Sequence, residues 1–149
     1  MNRQTQHETM PTLLITGGAG FIGGHTAEMA IHKGWKVRVL DDLSTGLKTK
    51  ANGLKALGAE IIIGDIRDGE TVNAAVLGCD AVVHLAAQTS VQLSVENPEN
   101  NDSVNINGTD NIIQIANIVN VQRIIFASSA AVYGDCEALP LVEESAGIR

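Results

Sequence analysis

Five short aliphatic runs, each separated from the next by a segment with helical spacing, constrain the fold of this chain more than any other feature. The runs are TLLIT (12–16), KVRVLD (36–41), AEIIIGD (59–65), DAVVHLA (80–86) and VQRIIFAS (121–128). Continuous Val and Ile runs that alternate with helices are typical of parallel strands buried on both faces. We therefore predict an α/β Rossmann fold, a doubly wound parallel sheet with the strand order 3-2-1-4-5.

The segments between the runs predict the helices. The first helix extends from about Phe21 to Lys33, with Gly34 as its C-terminal cap. The longest helical pattern covers Asn101 to Asn120. Two shorter helices are expected between them, one at 47–57 and one whose apolar face consists of Val72, Ala75 and Val76.

Composition limits the class of protein and its partners. A chain of 149 residues predicts one domain, and 44% hydrophobic residues with only 3% aromatic ones predict an aliphatic core. The net charge of −7 argues against nucleic acid or an anionic membrane as the main partner. Residues 1–11 lack the apolar core of a signal peptide and are interpreted as a mobile polar tail, which leaves 12–149 as the domain.

Two cysteines, Cys79 and Cys136, show no metal-ligand spacing. Isolated cysteines of this kind fit a reducing compartment better than a disulfide framework. No apolar run of transmembrane length occurs in the sequence. We therefore expect a cytoplasmic protein without a metal site and without a membrane partner.

The stretch TGGAGFIG, residues 16–23, joins the first predicted strand to the first predicted helix. Gly17 permits the tight turn, and Gly20, without a Cβ, lets the backbone approach a pyrophosphate at the helix N-terminus. Gly23 lets the helix pack closely against the strand. A tight turn without a ligand is the alternative, because glycine-rich turns are common; the position between strand and helix favours a dinucleotide site.

A pair of acids follows the second predicted strand. Asp41 lies where a carboxylate accepts hydrogen bonds from the hydroxyls of the adenosine ribose. Asp42 adds negative charge that would repel a 2′-phosphate. The pair therefore favours NAD over NADP, with a solvated acidic turn as the alternative interpretation.

With these residues in place, the chain resembles the extended short-chain dehydrogenase/reductase family from Thr12 to about Glu144. It is most similar there to the sugar-nucleotide epimerases and dehydratases, in particular the UDP-glucose 4-epimerase group. The motifs that carry the resemblance are TGGAGFIG, DDLSTG (41–46), GDIRD (64–68), HLAAQTS (84–90), SVENP (94–98) and VNINGT (104–109). One departure is Asp42, which stands where the family usually has asparagine.

The resemblance implies NAD as the cofactor, a nucleotide sugar as the partner of the full-length protein, and further residues around the cofactor. These are Phe21 and Ile22 in the glycine-rich loop, Ser44, Thr45 and Gly46 after the second strand, Asp65 and Ile66 beside the adenine, and Leu85, Ala86, Ala87 and Thr89 in the turn along the pyrophosphate and nicotinamide ribose.

The segment FASSAAVYGD (126–135) resembles the part of the family that carries a catalytic serine or threonine, here Ser129. The family also needs a YxxxK pair, but the fourth residue after Tyr133 is Glu137 and the last lysine is Lys55. The family tyrosine would lie beyond these 149 residues, so Tyr133 is expected to be structural. We expect an N-terminal cofactor-binding part that is inactive alone; a stand-alone NAD-binding module and a truncated product are the alternatives.

Two further residues and one strand complete the expectations. His84 is interpreted as a structural histidine, with a catalytic role as the alternative. Asn105 is interpreted as an anchor of the long helix against the fourth strand, with an indirect contact to the cofactor as the alternative. The strand at 121–128 is expected to present an apolar edge, because the sequence contains no sixth strand to cover it. An exposed edge invites pairing with another chain, so we expect a homo-oligomer.

Overall fold

The structure, a computed structural model, describes residues 10–135 and 139–145. Most of the predicted polar tail therefore lies outside the described residues; Met10 and Pro11, its last two residues, are exposed. Cys136 also lies outside them. Among the described residues, no helix is long and apolar enough to cross a membrane.

Five parallel strands form one sheet in the order β3-β2-β1-β4-β5. The strands are β1 (Thr12–Thr16), β2 (Lys36–Asp41), β3 (Glu60–Ile63), β4 (Ala81–His84) and β5 (Arg123–Phe126). The predicted fold class and strand order are confirmed. The first two strands have the predicted bounds, whereas the other three are shorter, because one or two residues at each end of the predicted runs belong to loops.

The described residues form six α-helices: α1 (Phe21–His32), α2 (Lys48–Ala56), α3 (Gly69–Val76), α4 (Val91–Glu96), α5 (Pro98–Asp102) and α6 (Thr109–Ile118). A π-helix, Ser103–Gly108, joins α5 to α6, and two short 3-10 helices follow β5 at Ala130–Tyr133 and Glu143–Ser145. Gly34 has a φ of 86° and terminates α1, as predicted.

The helical segment predicted over 101–120 is present, with shifted bounds: it begins earlier, at Pro98, and ends at Ile118. The sequence pattern did not show that its middle, Ser103–Gly108, is a π-helix. Helix α4 was missed because it is only six residues long and its apolar residues, Val91, Leu93 and Val95, alternate with polar ones and do not recur at helical spacing. Its start is instead marked by Ser90, whose Oγ accepts a hydrogen bond from Leu93 N at 3.3 Å.

An aliphatic core fills both sides of the sheet, as the composition predicts. On one side Leu14, Leu40 and Val82 pack against α3 and α6. On the other side Ile15 and Val39 pack against α1 and α2. All five side chains are fully buried, and each contributes about 1.5–3 kcal/mol through the removal of apolar surface from water.

The prediction that all strands are buried on both faces fails at the two edges of the sheet. In β5, Ile125 is 52% exposed and Phe126 57% exposed, and in β3 Ile63 is 57% exposed. An edge strand has a neighbour on one side only, so the described residues cover it less completely than they cover β1, β2 and β4. A hydrophobic run alone does not distinguish a central strand from an edge strand.

Candidate functional site

The loops that follow β1, β2 and β4 meet at the carboxyl ends of these strands. The chain leaves β1 toward β2 on one side and later returns to form β4 on the other, so a crevice lies between the β1 and β4 loops. In open α/β sheets this reversal of strand order is where ligands bind. Most of the predicted site residues lie along it.

Gly17 is required by the geometry of this crevice. Its φ is 68°, and a Cβ at this position would lie 2.8 Å from Ala86 N. The Gly17 N–H donates a hydrogen bond of 2.8 Å to Leu40 O, so the turn is also tied to β2. The predicted tight turn is confirmed, and the close approach brings together two loops that the sequence motifs placed separately.

Gly23 and Gly20 serve different purposes. A Cβ at Gly23 would lie 2.2 Å from Gly17 O, so this glycine lets α1 pack against the loop itself, rather than against the strand as predicted. A Cβ at Gly20 would meet only Gly17 O, at 3.2 Å, and its φ of −78° and ψ of −179° suit any residue. The backbone angles of position 20 therefore do not require glycine, and a Cβ there would need Gly17 O to move by only a few tenths of an ångström, so a ligand is a further reason for glycine at this position.

The N-terminus of α1 is open toward the crevice. Gly20 is its N-cap residue, no side chain caps it, and its first turn contains no acidic residue. The unpaired N–H groups of a helix N-terminus and the helix dipole favour an anion. Together with the glycine-lined approach, this end of α1 fits a pyrophosphate group.

Asp41 holds the crevice loops together. Its side chain is buried, with 7% of the residue exposed; Oδ2 accepts a hydrogen bond from Ala19 N at 2.8 Å and Oδ1 one from Leu43 N at 2.9 Å. Leu47 N donates to Ala19 O at 3.1 Å, and a Cβ at Gly46 would lie 2.6 Å from Asp41 Oδ1. The sequence predicted a ligand for this carboxylate but not its second role as the clamp between two loops.

Asp42 and its neighbours face solvent. Asp42 Oδ1 accepts hydrogen bonds from Ser44 N at 2.9 Å and from Ser44 Oγ at 2.7 Å, which closes a local turn. Asp42, Ser44 and Thr45 are all exposed. The structure thus places a second, solvent-facing carboxylate beside the buried one at the end of β2.

A buried polar network that sequence reasoning missed supports the β4 loop. Thr16 Oγ1 lies 2.7 Å from His84 Nδ1 and accepts hydrogen bonds from Leu85 N at 3.1 Å and Ala86 N at 3.2 Å. With both lone pairs used, the Thr16 hydroxyl donates its proton to His84 Nδ1. The proton of the imidazole is then on Nε2, which lies 3.0 Å from Thr109 Oγ1.

His84 is therefore a neutral structural histidine, as predicted. It is 2% exposed, burial lowers the pKa of its imidazole, and its ring stacks on Phe126 with 5.9 Å between the centroids. The only signal for its partners in the sequence is positional: Thr16 ends the first strand, and Thr109 follows a glycine in the long helical segment. Nothing in the sequence pairs the two.

The turn after β4 is anchored to the π-helix by Asn105. Gln88 N donates to Asn105 Oδ1 at 2.8 Å, and Asn105 Nδ2 donates to Gln88 O at 2.9 Å. Asn105 thus has an anchoring role, as predicted, but it anchors the helical segment to the turn after β4 and not to the strand itself. Ala87 and Thr89, on either side of the clamped residue, are exposed, while Leu85 and Ala86 are half-buried beside Thr16.

The loop between β3 and α3 contains Asp65 and Ile66. The Arg67 guanidinium binds the Asp65 carboxylate and holds its pKa below the ordinary value. Ile66 is 5% exposed and its side chain belongs to the core, so any contact with a ligand would be made by its main chain. Asp68 caps α3 by accepting a hydrogen bond from Glu70 N at 3.1 Å.

Ser129 lies after β5 at the start of a 3-10 helix. Its side chain is exposed, and its Oγ accepts a hydrogen bond from Ala131 N at 3.2 Å. Tyr133, in the same helix, is half-buried.

Phe21 and Ile22 are exposed at the start of α1, where Phe21 is 83% exposed and Ile22 is 65% exposed. In the described part of the chain, no group of three or more His, Cys, Asp or Glu side chains could hold a metal ion.

The sequence model of the NAD dependent epimerase/dehydratase family matches residues 13–148. A UDP-glucose 4-epimerase of Streptomyces lividans is 38% identical over 135 residues, which are 89% of this chain and 40% of that protein. A UDP-glucose 4-epimerase of Yersinia pestis is 35% identical over 136 residues, 88% of this chain and 40% of that protein. The chain thus spans about two fifths of the length of the relatives it matches.

Solved structures give the same result for the fold. A UDP-glucose 4-epimerase from Stenotrophomonas maltophila, solved with NAD and formylated UDP-arabinopyranose, superposes with a TM-score of 0.84 at 30% identity over 93% of this chain and 42% of that one. The enzyme from Brucella ovis, solved with NAD, has a TM-score of 0.81 at 34% identity over 91% of this chain and 41% of that one. The family resemblance is confirmed, and so is NAD as the cofactor of the family.

Proposed function

We propose that this chain, which belongs to the NAD dependent epimerase/dehydratase family, is the cofactor-binding half of a sugar-nucleotide epimerase similar to the UDP-glucose 4-epimerases. The observation that carries the proposal is the N-terminus of α1, which no side chain caps and whose N-cap residue, Gly20, has backbone angles that do not require glycine. Gly17 packs so closely against Ala86 that a Cβ would not fit, which ties the turn after β4 to the glycine-rich loop. A glycine-lined approach to an uncapped helix N-terminus suits the pyrophosphate of a dinucleotide.

Each loop of the site has a part in this proposal. The glycine-rich loop and the first turn of α1 hold the pyrophosphate, and Asp41 accepts hydrogen bonds from the adenosine ribose. Asp65 and the main chain of Ile66 lie beside the adenine, and the turn that contains Leu85 and Ala86 runs along the nicotinamide ribose. A bound NAD would supply the acceptor for a hydride from the sugar, and Ser129 would donate a hydrogen bond to the sugar oxygen.

The proposal separates binding from turnover. The 149 residues contain one tyrosine, Tyr133, and no lysine after Lys55, so they do not supply a YxxxK pair. Ser129 alone does not remove a proton from a sugar hydroxyl, because a neutral serine hydroxyl is too weak a base to accept that proton. We expect no epimerase or dehydratase turnover of UDP-glucose, UDP-galactose or dTDP-glucose by these residues with NAD. Robust turnover in that assay would show that Tyr133 has a base not accounted for here.

The preference for NAD over NADP tests the binding proposal directly. We expect calorimetric titration to show tighter binding of NAD, because Asp42 presents an exposed negative charge beside Asp41 at the end of β2. Asp42→Asn preserves the size of the side chain and an oxygen for the turn but removes the charge. It should narrow the preference by roughly 1 kcal/mol, the scale of two charges that interact through solvent near a surface.

Asp80→Asn is the matched control. Asp80 is exposed and lies at the opposite end of the sheet, where its Oδ2 accepts a hydrogen bond from Thr12 N at 2.7 Å. The net charge changes equally, but the charge is more than a Debye length of about 10 Å from the proposed site, given strands of this length. The preference should remain at its original value in this variant. Tighter binding of NADP by the unmodified chain would contradict the cofactor assignment.

A further inference from the structure

The β3–α3 loop, residues 65–68, is fastened to the helical segment 98–118 at three points. A Cβ at Gly108 of the π-helix would lie 2.6 Å from Ile66 Cδ1, so the Ile66 side chain packs directly on that glycine. Asn111 and Arg67 make the other two attachments. The same helical segment also holds the β4 turn through Asn105, so one element supports the loops proposed for both ends of the dinucleotide.

Asn111 binds the backbone of the loop. Its Nδ2 donates a hydrogen bond of 2.7 Å to Ile66 O, in a half-buried position. This bond joins the first turn of α6 to a residue 45 positions earlier in the chain. A side-chain amide that satisfies a main-chain carbonyl fixes the loop at that residue, since the carbonyl has little water to replace the donor.

Arg67 binds the side chain that precedes Ile66. Its Nε lies 2.9 Å from each oxygen of the Asp65 carboxylate, which sets the plane of that carboxylate. Its Nη1 donates at 3.1 Å to Oδ1 of Asn100, on α5. Arg67 therefore fixes the orientation of Asp65 relative to the helical segment, while Asn111 fixes the backbone next to it.

We propose that Asn111 and Arg67 are positioning residues that hold the Asp65 carboxylate where it accepts a hydrogen bond from the exocyclic amino group of adenine. The inference rests on the proposed function, in which Asp65 and Ile66 lie beside the adenine. Neither residue touches the ligand; each acts through the loop. The chemistry that the loop selects is a donor at the 6-position of the purine, because a carboxylate is an acceptor only.

Nicotinamide hypoxanthine dinucleotide is the probe for this inference. It differs from NAD at two positions of the purine: a 6-oxo group, an acceptor, replaces the amino donor, and N1 carries a hydrogen. Calorimetric titration with both dinucleotides gives a preference ratio that depends on the placement of Asp65 and of the Ile66 main chain, both of which belong to the β3–α3 loop. The unmodified chain should prefer NAD, and Asn111→Ala and Arg67→Ala should each lower that ratio by roughly two- to tenfold, the range of one hydrogen bond.

Two variants serve as controls. Gln114→Ala removes an exposed amide from the same helix, where its Nε2 binds Asp110 Oδ2 at 2.6 Å, and should leave the ratio unchanged. Arg67→Lys retains the positive charge without the paired geometry of a guanidinium, so it should recover part of the ratio that Arg67→Ala loses. Thermal unfolding of every variant shows whether the fold is retained.

The outcomes are distinct. A lower ratio in Asn111→Ala and Arg67→Ala with an intact fold supports the inference. An unchanged ratio in folded variants, whether NAD binding weakens or not, overturns it, because both dinucleotides would then respond equally to a general structural defect. If Asn111→Ala does not fold, Arg67→Ala, on the exposed side of the loop, decides alone. Failure of the unmodified chain to bind NAD at all is a different result, which removes the proposed function itself.

Discussion

At the scale of single residues, burial decides the chemistry of His84. Its two ring nitrogens are engaged by Thr16 and Thr109, and desolvation lowers the pKa of the imidazole. In a protonated ring Nδ1 also carries a hydrogen, so it could no longer accept the hydrogen bond that the Thr16 hydroxyl donates. The neutral form is therefore part of the folded structure, and the network carries the β4 loop that borders the crevice.

This arrangement predicts a pH dependence of stability. The unfolded chain binds the proton with an ordinary histidine pKa of 6.5, whereas the folded chain binds it only at lower pH. The stabilisation is complete above pH 6.5 and is lost as the pH falls below that value, by about 1.4 kcal/mol for each unit by which folding lowers the pKa. Urea unfolding between pH 7.5 and 5 measures this slope.

His84→Gln is the comparison for that slope. It cannot titrate, so the free energy of unfolding should change less with pH in this window than in the unmodified chain. The carboxylates whose pKa the fold lowers, Glu28, Asp65 and Asp68, act only below their ordinary values of 4.5 and 3.8 and do not interfere. Equal slopes in both proteins would contradict the structural role of a neutral His84.

At the scale of elements, the glycine-rich loop and α1 form one unit. Gly23 lies against the loop carbonyl of Gly17, where a Cβ would come within 2.2 Å, whereas Gly20 forms the helix N-cap, where a Cβ would come within 3.2 Å of the same carbonyl. The two glycines of the motif thus have different roles: Gly23 is needed for packing, and Gly20 lies at the surface where a ligand would bind. A motif by itself does not distinguish these duties.

Substitutions at the two positions should separate fold from binding. Gly20→Val suits the extended backbone of that residue, so thermal stability should remain near its original value while NAD binding is lost. Gly23→Ala forces a Cβ to within 2.2 Å of Gly17 O and should destabilise the fold by about 1–3 kcal/mol, as overpacking does. Thermal unfolding and calorimetry distinguish the two; normal NAD binding by Gly20→Val would refute the phosphate-loop assignment.

At the scale of the whole molecule, the sheet has an apolar edge at β5. In the described part of the chain β5 pairs with β4, and the side chains of Ile125 and Phe126 are more than half exposed. Exposed apolar edges with unpaired backbone groups template pairing with a further strand. The sequence predicted a homo-oligomer, and the β5 edge is the surface through which we expect the chains to associate.

We expect the chain to self-associate through β5 as its concentration rises into the high micromolar range. Ile125→Lys places a charge on the edge strand and should shift light scattering toward the monomer. Ile118→Lys is the control, since Ile118 is 74% exposed but lies at the end of α6. A monomer at high concentration in the unmodified chain would show that the edge is protected without a partner.

The sequence by itself determined the strand order, the bounds of β1 and β2, and the glycine-rich loop, because these depend on local patterns and on general rules of sheet topology. It also assigned His84 and Asn105 correctly, as polar residues in apolar surroundings. Contacts between distant segments were beyond it. Only the tertiary structure joined Thr16 to His84 and Thr109, turned Asp41 into a loop clamp, and set Asn111 against Ile66. The physical reason is that each of these bonds depends on which side chains the packed helices bring to the same edge of the sheet. The spacing of residues along the chain does not determine which distant side chains become neighbours.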